Sequence, residues 1–337
     1  MAISIYLDQL HWIHLAQAYT GHKDSGCHKE VLQHLFKLKE SERIFCPLSL
    51  THYMELWKTT NYRQRTDVAK VMAGLSGFRT IATVPVLRRA EIEQVLNKWF
   101  GKPEVPVVPE AFGFGVFFTV GEKRTWNFQS DATLMQALAA LMGGNKTIEE
   151  SKLELLQRVE LHVLRGAHES QVSVLRENYG YAPEKAFKVV AERAARENKL
   201  AQQLRADPIL KRRLDSIVTA NHLFGELSDS LTSALSQIGM KIEDILALGA
   251  EGATQFVHNI PTADVLVAFT IANHKNLNRP WEVNDIYDMD ALANVIPYCD
   301  IVVTEKHAHA QMHRAGMEQK YNTRILRNIE ELLDIVG

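Results

Sequence analysis

With 337 residues, the chain exceeds the length at which one hydrophobic core usually stops growing, so one large or two modest domains are expected. Its 46% apolar and 23% charged residues are ordinary for a soluble globular protein. Lys and Arg total 38 against 40 Asp and Glu, a net charge of -2, so a general polyanion binder is excluded and any nucleic-acid surface must be a local patch.

Residues 3–7 (ISIYL) form an apolar run ended by Asp8, the pattern of a buried strand, and Leu10, Ile13, His14 and Ala18 then recur at near-helical spacing. A second helix is expected over 28–40 and a short strand over 44–46, after which Ser49 is placed to cap a helix through LTHYMELWK. The first hundred residues thus alternate strand and helix, as in α/β proteins with a parallel sheet. Residues 103–121 change character: three prolines and two Gly-Phe pairs beside a β-prone run predict a loop and a hairpin. From 129 to 250 the pattern is almost entirely helical, with no fixed-period repeat and no low-complexity tract. Helices are then expected from Pro261 and through NDIYDMDALANVIPY, followed by a strand at 300–303, a helix in TEKHAHAQMHR, a strand near Ile325 and a closing helix in IEELLDIV. Residues 1–100 with 255–337 read as one discontinuous α/β domain, and 101–254 as a mainly helical insertion or subdomain.

Cys27, Cys46 and Cys299 are far apart and form no CxxC pair, so neither a disulfide framework nor a cysteine-rich zinc site is expected, and a reducing cytoplasm suits them. The first nineteen residues carry an acid in their apolar stretch and no basic segment, unlike a signal peptide. No apolar run approaches the roughly 18 residues a membrane span needs.

Carboxylates stand where a parallel sheet presents ligands, at the carboxyl ends of its strands. Asp8 follows the first strand; Glu55 lies one or two turns into the helix after the second; Asp285, Asp288 and Asp290 open the helix NDIYDMDAL; Glu305 follows the strand DIVVT. Acids gathered at one edge repel one another unless a cation sits between them, and hard oxygen ligands select Mg²⁺ or Mn²⁺ over zinc. Each acid also has a plainer reading: Asp8 as a helix N-cap, Glu55 as an exposed helix charge, Asp285 and Asp290 as capping or solvated residues.

In their order, these motifs resemble the PIN domain, a family of compact α/β nucleases with a parallel sheet sandwiched by helices and an acidic metal pocket. IYLD matches the strand that ends in the first Asp, here Asp8, and SLTHYMELW the helix that carries the Glu, here Glu55. DMDALANVIPYCDIVVT matches the helix, turn and strand of the third acid, here Asp288. The last polar position, usually T-x-D, stands as Thr304-Glu305-Lys306, with a Glu one residue early. The resemblance covers about 1–60 and 280–330. It implies a metal-dependent nuclease, RNA favoured, of the kind that also supplies toxin halves of toxin–antitoxin pairs, so an inhibitor protein or a second copy is an expected partner. On that reading Asp8 and Asp288 are direct ligands, Glu55 and Asp285 hold the ion directly or through water, and Glu305 completes the site. A DNA-directed nuclease, a metal-dependent phosphatase and a degenerate module that binds RNA or protein without cleavage are the rival readings.

Four further features carry competing readings. His309 and His313 are spaced i, i+4, a metal-compatible spacing, but with no HExxH motif they read first as solvated helix residues, with His307 beside them. His11 and His14 follow Asp8 and either face the same cleft or pack. From Lys185 to Arg213 nine basic residues stand against three acids, so Arg212 and Arg213 are candidate phosphate contacts, with Lys306 nearer the acids. The FGFG run is no phosphate-binding loop; Phe112, Phe114 and Trp126 are candidate base-stacking residues.

Overall fold

The computed structural model describes residues 2–23, 26–101, 109–122 and 148–335. Strand β1 (Ile3–Leu7) is followed directly by α1 (Gln9–Tyr19) and then α2 (His28–Glu40). Strand β2 (Ile44–Phe45) leads into α3 (Leu50–Lys58) and α4 (Tyr62–Ser76). Strand β3 (Arg79–Ile81) is followed by α5 (Val84–Phe100), and β4 (Phe112–Phe114) by α6 (Gly115–Thr119). The middle of the chain contributes α7 (Ile148–Arg165), α8 (Glu169–Tyr179), α9 (Pro183–Ala206), α10 (Pro208–Arg212), α11 (Leu214–Asn221), a π-helical turn at His222–Glu226, α12 (Ser228–Gln237), α13 (Ile242–Leu246) and α14 (Gly249–His258). Helices α15 (Pro261–His274) and α16 (Val283–Val295), strand β5 (Ile301–Val303), α17 (Lys306–Arg314), α18 (Met317–Tyr321), strand β6 (Arg324–Leu326), a 3-10 turn at Ile329–Glu331 and α19 (Leu332–Ile335) follow.

The chain is mostly helical around a four-stranded sheet in the order β2-β1-β5-β6, all neighbours parallel. Pairing of β1 with β5 brings residues nearly three hundred positions apart into register, with Leu7 opposite Val303. Alternation along β1 then assigns each face its core. Ile5 and Leu7 pack with Trp12, Leu15, Leu35 and Leu75 on one side; Tyr6 packs with Phe269, Ile286, Leu292 and Val302 on the other. The sheet is therefore covered on both faces, as parallel sheets require.

The helical middle has no separate foundation. A third core joins α5, α11, α12 and α14 to Ala263 and Val267 of α15, while Val190 and Ala194 of α9 enter the core beneath α16. The start of the expected loop and hairpin, 103–108, lies outside the described residues, and β4 pairs antiparallel with β3, some thirty residues back. Gly113 permits this, because a Cβ there would drive into the ring of Phe118, and Gly115, at φ 79°, turns the chain into α6. Trp126 lies outside the described residues. Among the described residues no helix is long and apolar enough to cross a membrane.

Candidate acidic metal centre

Asp8 is both the last rung of the β1–β5 ladder and the N-cap of α1. Its amide donates to the Val303 carbonyl at 3.0 Å, and its own carbonyl accepts from the amides of His11 and Trp12. Its side chain makes no capping hydrogen bond of full geometry, although the nearby Gln9 and Leu10 amides favour its charged form. The carboxylate instead accepts from the Thr304 hydroxyl at 3.3 Å. The capping position orients the backbone, and the acid is left facing the cleft.

Glu55 owes its position to a local device one turn earlier. Ser49 and His52 form a reciprocal cap: the Ser49 hydroxyl accepts from the His52 amide, and His52 Nδ1 accepts from the Ser49 amide at 3.1 Å. Because Nδ1 accepts, the proton of this fully buried imidazole sits on Nε2, which donates to the Leu7 carbonyl at 2.8 Å. Burial holds His52 neutral, its pKa lowered to about 3. The Tyr6 ring stacks on it at 4.9 Å. The start of α3 is thus bolted to the end of β1, which brings half-buried Glu55 beside Asp8.

Asp288 enters from α16. With Tyr6, Asp8, Thr51, Glu55, Tyr287, Ala291, Leu292 and Thr304 it lines one small cleft at the carboxyl edge of the sheet. Glu305, the exposed N-cap of α17, adds a fourth negative charge from the rim. The acids raise one another's pKa. Burial and then Glu305 push Asp8 up to about 6, against the opposing amides of Gln9 and Leu10 and the Thr304 hydroxyl. Burial and Asp8 bring Glu55 to about 7, with Lys58 opposing. Burial, Asp8, Glu55 and Glu305 bring Asp288 to about 8. Three carboxylates in a partly dry cleft, made less acidic by burial and by neighbouring acids, with Glu305 at the rim, fit a hard divalent cation, which relieves that repulsion. Their spacing is wider than a closed cage: Asp8, Glu55 and Asp288 do not bring ligand atoms within 4.8 Å of one another.

The remaining acids have other partners. Asp285 is buried and capped into α16: it accepts from the Glu282 amide at 2.8 Å and from Arg279 at 2.7 Å. It does not line the cleft, and its plainer reading, helix capping, describes its contacts. Asp290 takes both nitrogens of Arg193, at 2.5 and 2.9 Å. Arg212 and Arg213 border a different basic groove with Lys211, His274 and Lys275. Lys306 is exposed in the first turn of α17, next to Glu305. His307 bonds with Asn273 and Gln311, and His313 pairs with Glu318, so the α17 histidines bring no third metal ligand. His11 and His14 lie near His28 and Glu330, and neither lines the cleft.

Two residues join the site that the sequence reading passed over. Lys58, three residues beyond Glu55 on the same helix face, feels both Glu55 and Asp288, and its ammonium lies 3.6 Å from the Tyr287 ring centre. Tyr287 itself lines the cleft with a buried hydroxyl that has no hydrogen-bond partner. The i, i+3 spacing of Glu55 and Lys58 was the available signal. No protein-family model matches this chain, and neither a curated protein nor a solved structure does.

Proposed function

We propose that the chain is a metal-dependent nuclease of PIN-like type, with RNA the favoured substrate. The observation that carries it is the cleft itself: Asp8, Glu55 and Asp288 arrive from three elements at the carboxyl edge of a parallel sheet, with Glu305 at the rim. Asp8, Glu55 and Asp288 are the residues that would hold Mg²⁺ or Mn²⁺. Asp285 is left out of the ligand set because Arg279 and its own helix cap occupy both of its oxygens. A bound cation supplies positive charge to a phosphodiester and acidity to a water molecule.

The protein's own groups do the rest. Thr304 fixes the rotamer of Asp8 through its hydroxyl. In the metal-free cleft Glu55 and Asp288 hold protons up to near-neutral pH, so a cation that binds there displaces them. Lys58 at one side and Lys306 near the other are the cations placed to meet the non-bridging oxygens of a phosphate. A binding-only module is the second reading, favoured by the exposed Glu305 in the fourth position and by the open spacing of the trio.

Cleavage of a mixed-sequence single-stranded RNA, with DNA of the same sequence and a small phosphate ester alongside, tests the reading. With Mn²⁺ or Mg²⁺ the protein is expected to cut RNA, and both EDTA and Asp8→Asn are expected to abolish cutting by at least about a hundredfold. Full activity in folded Asp8→Asn overturns the site. RNA binding that survives chelation without cleavage selects the binding-only module.

A further inference from the structure

A second ligand cluster lies away from the acidic cleft. The Cys27 thiol donates to Glu330 Oε1 at 2.7 Å and lies 3.9 Å from His28 Nδ1. One ligand atom from each of Cys27, His28 and Glu330 falls within 4.8 Å of the other two, the one such trio among the described residues. The His14 ring packs edge-on against the His28 ring at 4.8 Å between centres. One turn before His14 on the same face of α1 is His11, which is 8% exposed, and neither of its ring nitrogens has a hydrogen-bond partner. It lies one turn back on the helix that presents the His14 ring to this cluster. A buried imidazole with both nitrogens unpaired is costly unless a ligand or ion completes its surroundings.

We propose that Cys27, His28 and Glu330 form a binding site for a borderline-soft transition metal of the Zn²⁺ class, flanked by His14, whose ring packs on His28, and by the unpaired His11 one turn back. One thiolate, one imidazole and one carboxylate are donors of the kinds that Zn²⁺ prefers, with a further position left for water, and the set differs from the all-oxygen set of the acidic cleft. The geometry is close to what the ion demands. Ligand atoms bound tetrahedrally at 2.0–2.3 Å stand about 3.5 Å apart. The Sγ–Nδ1 separation is already near that value, and Sγ and Oε1 need to part by less than about 1 Å. The Cys27 thiol donates its proton to Glu330, and a metal that takes the thiolate displaces that proton. Such an ion would tie the turn at 26–28 to the 3-10 turn at 329–331. This proposal is independent of the nuclease reading.

Co²⁺ titrated into the reduced, full-length protein tests it directly, because a cobalt thiolate has a charge-transfer band that oxygen-only sites lack. One Co²⁺ per chain is expected to produce that band, Zn²⁺ to displace it, and Asp8→Asn to leave it unchanged. Cys27→Ser is expected to abolish the band while preserving the far-ultraviolet circular dichroism, since Cys27 is exposed. Glu330→Gln and His28→Ala are expected to weaken binding by at least about tenfold. Absence of the band in the reduced protein, or an undiminished band in Cys27→Ser, overturns the site. Loss of RNA cleavage with the band intact would count against the acidic cleft alone.

Discussion

Asp8, Glu55 and Asp288 set the electrostatic character of the site, and their charge states make it testable without a substrate. Their pKa values are raised to about 6, 7 and 8. In the window between the ordinary carboxylate value near 4 and these values, the folded chain binds more protons than the unfolded chain. Metal-free stability therefore falls as pH rises from about 4 to about 8, and the full penalty is present above that. Asp288→Asn removes one of the repelling charges. In EDTA it is expected to raise the melting midpoint by about 2 °C or more near pH 8.5 and to change it little near pH 4.5. A midpoint that drops at both pH values would show that Asp288 is held by a partner and not by repulsion. For the same reason Mn²⁺ affinity is expected to climb with pH between about 6 and 8, by about tenfold per unit for each proton released. Calorimetric titration at three pH values reads that slope.

Among the elements, α3 shows how a local motif and a long-range contact combine to aim one side chain. The Ser49–His52 cap begins the helix, and the His52 bond to Leu7 docks it on β1. Ser49→Ala is expected to cost about 1 kcal/mol, the usual value for a lost N-cap. His52→Ala is expected to cost about 3 kcal/mol or more, because it strands the Leu7 carbonyl and the Ser49 amide in a dry core and leaves a cavity against Tyr6. Urea denaturation of both variants checks the order. Equal losses would mean that His52 acts as a cap alone, with no part in docking α3 to the sheet.

Across the whole molecule, the helical middle is tied to the sheet domain through charge as well as apolar packing. Arg193 of α9 holds Asp290 with two hydrogen bonds and also lies 3.7 Å from Glu226, which pairs with buried Arg88 of α5. This network spans α9, the π-helical turn, α5 and α16, and Asp290 lies two residues from Asp288. Arg193→Ala is expected to cost about 2 kcal/mol, because it leaves a half-buried carboxylate unpaired. A cycle with Asp290→Asn is expected to recover about 1 kcal/mol of that loss. Additivity of the two changes would mean that the ion pair does not join the two parts. Phe187 of α9 also lies near Lys58, so the same helix reaches the edge of the acidic site.

Local order was legible in the sequence wherever neighbours in the chain decide the outcome. The apolar run of β1 ends at Asp8, Ser49 caps α3, and IVV forms the strand before Thr304, because alternation, capping and β-branching act within a few residues. The placement of Asp8 at a strand end, Glu55 and Asp288 in the second turns of their helices and Glu305 at an N-cap followed from that local order. Long-range pairing was not legible in this way. Nothing near residue 112 announces that β4 pairs with β3, because the closing contacts are non-local. Asp285 carried its competing role in its own capping box, but its bond to Arg279 depends on how the loop before α16 folds back. His11 and His14 follow Asp8 closely, yet α2, which packs on α1 and carries His28, set their surroundings. Local sterics and capping chose the elements and their acids; packing of apolar faces from distant segments chose which charged side chains meet, because burial is non-directional and registers only in the assembled fold.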